Sequence, residues 1–403
     1  MSWKGVTVMD QKVRFIAEYL NGYFPFAELC LQFSISRKTG YKWVQRYEQE
    51  GIEGLNNRST RPHRCPHETD PAIIEAIVQA RMKHPDWGPK KLLEILPPHY
   101  EDLPAISTAA DILTRNRLII PSKRRLRRLH PGCPRTTTNR PNDIWTADYK
   151  GHFKMRNRQY CYPLTVCDMH SRYLLGCEGH DAISFDQTKH HFTRLFNEYG
   201  LPQRIRTDNG VPFASNAIAR LSSLSVWWIK LGIYPEQIEP GKPQQNGKHE
   251  RMHRTLKKRA TIPPEKNLAA QQQRFDAFRY EYNDERPHEA LGMKKPASIY
   301  TASSRTMPKK LEHFDYPGHF EVRLVSKNHC IRWRNHYVPV SSTLIKEYIG
   351  FEEVEDGIYN VYFCDLLIGR FFEKDFRIRD VIERIPVRHI VAESGNPKFR
   401  RKV

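Results

Sequence analysis

The chain has no run of about 20 apolar residues of the kind a membrane-spanning helix requires, and no apolar targeting segment opens it. Its mean hydropathy of -0.68 agrees. A membrane partner is therefore not expected, and the reading is of an intracellular, cytoplasmic protein. Eight cysteines, at 30, 65, 133, 161, 167, 177, 330 and 364, include no Cys-x-x-Cys pair, so neither a zinc ribbon nor a redox motif is indicated. They are expected to be reduced core or surface thiols. The set His63-x-Cys65-x-His67 lacks a partner Cys pair and makes a poor zinc site. Acid is also scarce: 45 Asp and Glu face 65 Lys and Arg, a net charge of +20, with pI ≈ 9.6. That surplus is the footprint of a polyanion-binding protein.

Against this surplus three short stretches each deliver one acid on a different element: Trp145-Thr146-Ala147-Asp148, Arg206-Thr207-Asp208-Asn209-Gly210, and Asn246-Gly247-Lys248-His249-Glu250-Arg251. Asp148, Asp208 and Glu250 together read as a carboxylate triad for divalent metal, the equipment of a protein that cuts or joins nucleic acid. Phosphodiester chemistry needs an activated oxygen nucleophile, an in-line leaving oxygen and relief of negative charge. Two divalent ions roughly 3.5–4 Å apart supply all three, and hard oxygen ligands favour Mg2+ or Mn2+ over zinc. The alternative for each acid is an ordinary surface carboxylate. Asp168 in a hairpin turn, and Asp181 and Asp186 near a helix start, are weaker candidates, as is His253 as a ligand.

The length suggests roughly two to four domains. In 1–57, Asp10 can cap a helix bearing Val13, Ile16, Ala17 and Leu20; a second helix starts near Pro25; Ser36 can cap a third that runs to Gly51. This is a helix-turn-helix outline. Its second helix would present Arg37, Lys38, Thr39 and Lys42 to the major groove, with Trp43, Val44 and Tyr47 facing the core. A second such unit is readable over 68–125, with Pro71 at a helix start, a helix from Trp87-Gly88-Pro89, and Ser107 as a cap. A basic linker, 126–141, follows the run that begins at Lys123. Arg124, Arg125 and Arg127 there are candidates to track phosphates, a solvated linker being the alternative.

From Asn142 the period changes. Ile144–Lys150, Tyr160–Cys167 and Tyr173–Cys177 read as strands, Ser184–Tyr199 as a helix, and Gln203–Thr207 as a strand ending at Asp208. Mixed strands and helices over 142–302 imply an α/β layer structure. A loop through Pro240-Gly241 feeds the helix that carries Glu250, and Arg254 and Lys257 share roughly one face with it, beside the DNA phosphates or simply solvated. Phe275, Phe278 and Tyr282 close the core; Arg286-Pro287-His288 fixes packing. Over 312–386 short alternating runs read as a small β-barrel, with Arg332, Trp333, Arg334 and Lys346 as candidate contacts, and 387–403 as a basic tail.

Thr207-Asp208-Asn209-Gly210-Val211-Pro212-Phe213, the run Gly241 to Arg251, and Tyr282-Asn283-Asp284-Glu285-Arg286-Pro287-His288-Glu289-Ala290-Leu291 carry a resemblance. The chain resembles the retroviral-integrase-like DDE transposases, in particular the integrase-core insertion-sequence transposases of bacteria. The resemblance implies an RNase H-like core with Asp148, Asp208 and Glu250 as its triad, and binding to the terminal inverted repeats of a mobile element and to target DNA. It further implies cleavage and strand transfer with two metal ions, a homo-oligomer, and a nucleoid-associated location. One departure stands out: 41 residues separate Asp208 from Glu250, more than in the retroviral members, so an enlarged helical connection is expected around Trp227 and Trp228. The runner-up is a catalytically silent, transposase-derived regulator that binds DNA sequence-specifically.

Overall fold

The computed structural model describes residues 7–59, 68–100, 102–119, 136–239 and 242–381. Two compact units divide between Asp70 and Pro71. In the first, helices α1 (Val8–Asn21), α2 (Phe26–Gln32) and α3 (Arg37–Glu50) enclose Phe15, Ile16, Leu29, Cys30 and Val44. Ser36 caps α3 as its side chain type suggests, accepting the Thr39 N–H at 3.2 Å. At α1 the cap is Thr7, and Asp10 is its reciprocal partner three residues on, so the helix starts earlier than Asp10 alone indicates. Gly40 lets α3 close on α2: a Cβ there would lie 2.7 Å from Cys30 Sγ and 2.9 Å from the Phe26 ring. Val44 is buried, while Trp43 and Tyr47 pack half-buried at the rim.

The second unit opens with α4 (Pro71–Lys83), α5 (Pro89–Glu94) and α6 (Ile106–Arg115), packed around Ile77, Trp87, Leu92 and Leu113. α6 has no side-chain cap; Ser107 sits inside its first turn, two residues past the cap position at Ala105. The core that follows runs β1 (Ile144–Tyr149), β2 (Phe153–Lys154), β3 (Tyr160–Asp168), β4 (Leu174–His180), α7 (Phe185–Tyr199), β5 (Arg204–Thr207), α8 (Ser223–Lys230), β6 (Tyr234–Gln237), α9 (Gly247–Leu256) and α10 (Leu268–Tyr280). The ladder is β2-β3-β1-β5-β6, with β4 also paired to β3. β1, β5 and β6 are parallel, and the β1–β3 and β3–β4 pairs are antiparallel.

Period-2 alternation assigns the two faces of this sheet. Trp145, Ala147, Leu164, Val166 and Ile205 point into one apolar layer with Phe192, Phe196, Trp227 and Trp228 from α7 and α8. The long interval after Asp208 is therefore structural: α8 buries both tryptophans in the core. Cys161, Cys167 and Cys177 point the other way, against Met252, Leu256, Phe275 and Phe278 of α9 and α10. Thr146, Asp148, Thr165, Arg206 and Asp208 occupy the alternate positions, on the face that α9 covers.

Within the region expected to be a barrel, 312–386, the described residues, up to 381, do not close into one. β7 (Glu321–Leu324), β8 (Cys330–Trp333), β9 (His336–Pro339), β10 (Tyr348–Glu355), β11 (Ile358–Phe363), β12 (Leu366–Phe372) and β13 (Arg377–Asp380) form an open sheet, β13-β12-β11-β10-β7, plus a separate β8–β9 hairpin. Closure needs every strand paired on both sides. Here the edges β7 and β13 are four residues each and are not paired to one another, and the hairpin packs over the sheet through Trp333, 4.8 Å from Phe371 and 5.0 Å from Phe351.

A polar network fastens α4–α6 to the core. Asp86 accepts from Arg286 Nη1 at 3.0 Å and lies 3.5 Å from Arg259 Nε; Arg259 also binds Glu281 at 2.6 Å. His84 stacks on Trp87 at 3.8 Å, and the Arg286 guanidinium lies 5.7 Å from the same indole. Replacing Asp86 with Ala leaves two largely buried guanidiniums short of a partner. Asp86→Ala is expected to lower the unfolding free energy by about 3 kcal/mol in urea titration; an unchanged midpoint would show that water replaces the carboxylate at no cost.

Candidate active site

β1 and β5 place the first two acids. Their parallel register pairs Thr146 with Arg206 and Ala147 with Thr207. Asp148 is the next residue of β1 and Asp208 the first residue past β5, so they leave neighbouring strands side by side on one face, with strand axes about 4.8 Å apart. Asp208 is held by its turn. Its Oδ1 accepts the Gly210 N–H at 3.1 Å, and Asn209 Nδ2 donates to the Ile238 carbonyl at 2.9 Å. Gly210 suits this approach, because a Cβ there would lie 3.1 Å from Asp208 Oδ2, tighter than an ordinary contact.

The third acid arrives on α9. Arg206, 1% exposed, pairs with Glu236 of β6 at 2.6 Å and reaches the Gln245 carbonyl at 3.4 Å, just before α9 begins. Gln245 in turn accepts the Glu239 N–H at 2.9 Å. The strand that ends in Asp208 is thus tied to the entry of the helix whose first turn bears Glu250. The three acids interact. Burial, followed by the negative charges of Asp208 and Glu250, pushes the Asp148 carboxyl up to about 7, with Lys150 opposing. Among the described residues none of the three has an ion pair with Lys or Arg.

A seam of buried polar groups lies between α9 and the sheet. His249 and His253, one turn apart, bring both imidazoles onto the sheet face of α9. His249 Nδ1 is 2.7 Å from Thr146 Oγ1, and its Nε2 is 2.7 Å from Thr165 Oγ1. His253 Nε2 is also 2.7 Å from Thr165 Oγ1, and its Nδ1 faces Asp148 Oδ2 at 3.7 Å. Burial holds both rings neutral, lowering His249 to about 3 and His253, with His249 and Lys150 contributing, to about 2. Sequence reasoning assigned no role to Thr146, Thr165 or His249; the i, i+4 spacing of the two histidines is the only signal that pointed to them.

Of the candidate nucleic-acid contacts, Arg37, Lys38 and Lys42 are exposed on α3. Thr39 is half-buried and engaged with Ser36 Oγ at 2.9 Å, so its hydroxyl serves the cap. Arg254 is exposed on α9 with Glu250, and exposed Lys257 opens a π-helical turn, Lys257–Thr261. Arg124, Arg125 and Arg127 lie outside the described residues, as does His63-x-Cys65-x-His67. Trp333 is a core residue, 2% exposed and donating to Glu373 Oε1 at 3.0 Å, which removes it from the contact set. A cavity of about 600 Å³ between Lys230, Tyr234, Phe314 and Glu347 includes none of the acids.

Protein-family models match the chain as a helix-turn-helix domain over 11–63, a homeodomain-like domain over 39–113, and an integrase core domain over 138–243 and again over 231–296. An uncharacterised 39.2 kDa protein of insertion element IS476 from Xanthomonas euvesicatoria is 25% identical over 263 residues, 63% of this chain and 72% of that protein. An uncharacterised 31.7 kDa protein of insertion element IS407 from Burkholderia multivorans is 27% identical over 182 residues, 45% of this chain and 61% of that one. The Gag-Pol polyprotein of baboon endogenous virus is 30% identical over 131 residues, 32% of this chain and 7% of the polyprotein. Among solved structures, the HTLV-2 integrase catalytic core domain in complex with magnesium aligns with a TM-score of 0.32 and 17% identity, covering 40% of this chain and 98% of that one. No described helix is long and apolar enough to cross a membrane. The chain therefore carries helix-turn-helix domains ahead of an integrase core domain, and is similar to proteins that insertion elements and retroviruses encode.

Proposed function

We propose that the protein is a transposase that binds the terminal inverted repeats of a mobile DNA element and carries out metal-dependent strand cleavage and strand transfer into target DNA. Asp148, Asp208 and Glu250 are its catalytic and metal-binding residues in this reading. The supporting observation is the convergence of three acids, unpaired with Lys or Arg among the described residues, from β1, the β5 exit and α9. In the cell the protein would act as a homo-oligomer on paired element ends, in the bacterial cytoplasm at the nucleoid.

The donor set fits hard divalent cations: it is rich in carboxylate oxygen, and burial, with the charges of Asp208 and Glu250 added, raises one carboxyl to about 7. When bound, Mg2+ or Mn2+, two ions in this reading, supplies Lewis-acid activation and charge relief at the phosphodiester. The chain's own residues supply placement. The β1–β5 ladder fixes the separation of Asp148 and Asp208, the Gly210 amide orients Asp208, and α9 presents Glu250 with Arg254 and Lys257 available to hold DNA phosphates. In the first step water attacks phosphorus at the element's end and a 3′ oxygen leaves, taking a proton. In the second, that 3′-hydroxyl attacks a target phosphodiester, so no covalent protein intermediate forms. On α3, Arg37, Lys38 and Lys42 read the repeat; the half-buried Thr39 sets the helix end.

Asp208→Asn is expected to keep binding to repeat DNA but to lose Mg2+-dependent nicking and strand transfer by more than about 100-fold; cleavage that persists in this variant sinks the assignment. Arg37→Ala combined with Lys42→Ala should weaken duplex binding and reduce the slope of log affinity against log salt by about 2, whereas an unaltered slope would place DNA elsewhere. A third expectation follows from Asp148, whose folded value near 7 exceeds its ordinary 3.8. A raised carboxyl favours the folded state only while protonated, so the metal-free protein loses stability as pH rises from about 4 to about 7 and recovers none above. Asp148→Asn should raise the metal-free melting temperature by a few degrees above pH 7, the shift of about 1 kcal/mol or more, and leave it unchanged near pH 4. A lowered melting temperature at pH 8 contradicts this.

A further inference from the structure

Thr165 Oγ1 stands at the centre of three short contacts, 3.0 Å to the Asp148 carbonyl and 2.7 Å to Nε2 of both His249 and His253. A hydroxyl offers one hydrogen and two lone pairs. The carbonyl can only accept, so the hydroxyl donates to it, and both Nε2 atoms must carry hydrogens and donate to Thr165. Either alternative, with the hydroxyl turned to an imidazole, leaves two bare oxygens opposed at 3.0 Å. A neutral ring has a single N–H, so both Nδ1 atoms are bare. For His249 this is satisfied: its Nδ1 accepts from the Thr146 hydroxyl at 2.7 Å. For His253 it is not. Its side chain is 7% exposed, and among the described residues the polar atom facing its Nδ1 is Asp148 Oδ2, an acceptor when ionised, across 3.7 Å.

A cation seated between this nitrogen and the ionised Asp148 oxygen would satisfy both lone pairs. We propose that His253 Nδ1 is a nitrogen ligand to the divalent cation at Asp148, making this position a mixed nitrogen and oxygen site. This rests on the metal reading of the acids given above and adds a donor to it. Two metal–ligand bonds of roughly 2.1 Å can close the 3.7 Å gap around one ion. Asp148, His249 and His253 offer ligating atoms that all lie within 4.8 Å of one another, but both His249 nitrogens are engaged by threonines, so His249 is a positioning residue. Thr165 holds the far nitrogen of His253, the bond that ordinarily fixes the tautomer and ring plane of a ligating histidine. A nitrogen donor also favours transition ions over Mg2+, so Mn2+ binds this position more tightly than Mg2+ does.

The test uses the full-length protein with Mn2+ alone, without DNA, and reads nitrogen hyperfine coupling to the bound ion by pulsed electron paramagnetic resonance. The expected result is a 14N coupling that changes to the 15N pattern when the protein is made with 15N-histidine, so no substitution is required. The coupling should survive His249→Gln and vanish in His253→Gln, with Mn2+ affinity in the latter lowered about tenfold or more. Mn2+ that binds in an Asp148-dependent way with no histidine coupling overturns the His253 assignment and leaves the carboxylate reading intact. Mn2+ binding that survives both Asp148→Asn and Asp208→Asn overturns the carboxylate reading, and absence of Mn2+ binding overturns both.

Discussion

The parallel register of β1 on β5 is the constraint on which the site depends. Ala147 opposite Thr207 puts Asp148 beside Asp208, and because side chains alternate, a slip of one residue would send Asp208 to the opposite, apolar face. Both faces enforce the register. Trp145, Ala147 and Ile205 have to reach the layer under α7 and α8, and Arg206 has to meet Glu236 from the same face as Asp208. An isolated buried ion pair is weak evidence of stability; its value here is specificity, since only one alignment of β5 and β6 satisfies it.

The helix bearing Glu250 is positioned by polar contacts as much as by apolar packing. Met252 and Leu256 contribute the apolar stripe of α9, while His249 and His253 reach Thr146 and Thr165. Each of these threonines lies on a strand at a position whose neighbours face the other layer, so the seam fixes helix height and rotation against the sheet. The same face carries the acids. Position and chemistry are therefore set by one pattern, with the catalytic candidates at the strand ends, Thr165 opposite Asp148 and Thr146 two residues deeper.

Much of this architecture was legible from local signals. Ser36 before a basic helix, Asn-Gly after Asp208, and strand-to-helix alternation through the core each express a short-range preference. What local signals misplaced was also local in origin: Asp10 and Ser107 are both good capping residues, but a cap is defined by where the backbone turns, which Thr7 and Ala105 occupy. What they could not reach were pairings. Alternation identified strands beyond Phe320 without saying that β7 and β13 stay apart, and Trp333 looked exposed until its aromatic neighbours surrounded it. Arg286 meets Asp86 across 200 residues, and His249 meets Thr146 across 103; no window of sequence contains either pair. The acids were singled out because their flanking motifs are distinctive, whereas the histidine seam has only a helical spacing to announce it.

In the proposed function Asp148 and Asp208 hold a divalent cation between neighbouring strand ends. Anomalous diffraction from crystals of the protein soaked in Mn2+ tests it most directly. The account predicts a manganese peak in contact with the carboxylates of both residues. A peak that touches neither, or full Mn2+ loading with both carboxylates turned to solvent, would contradict it.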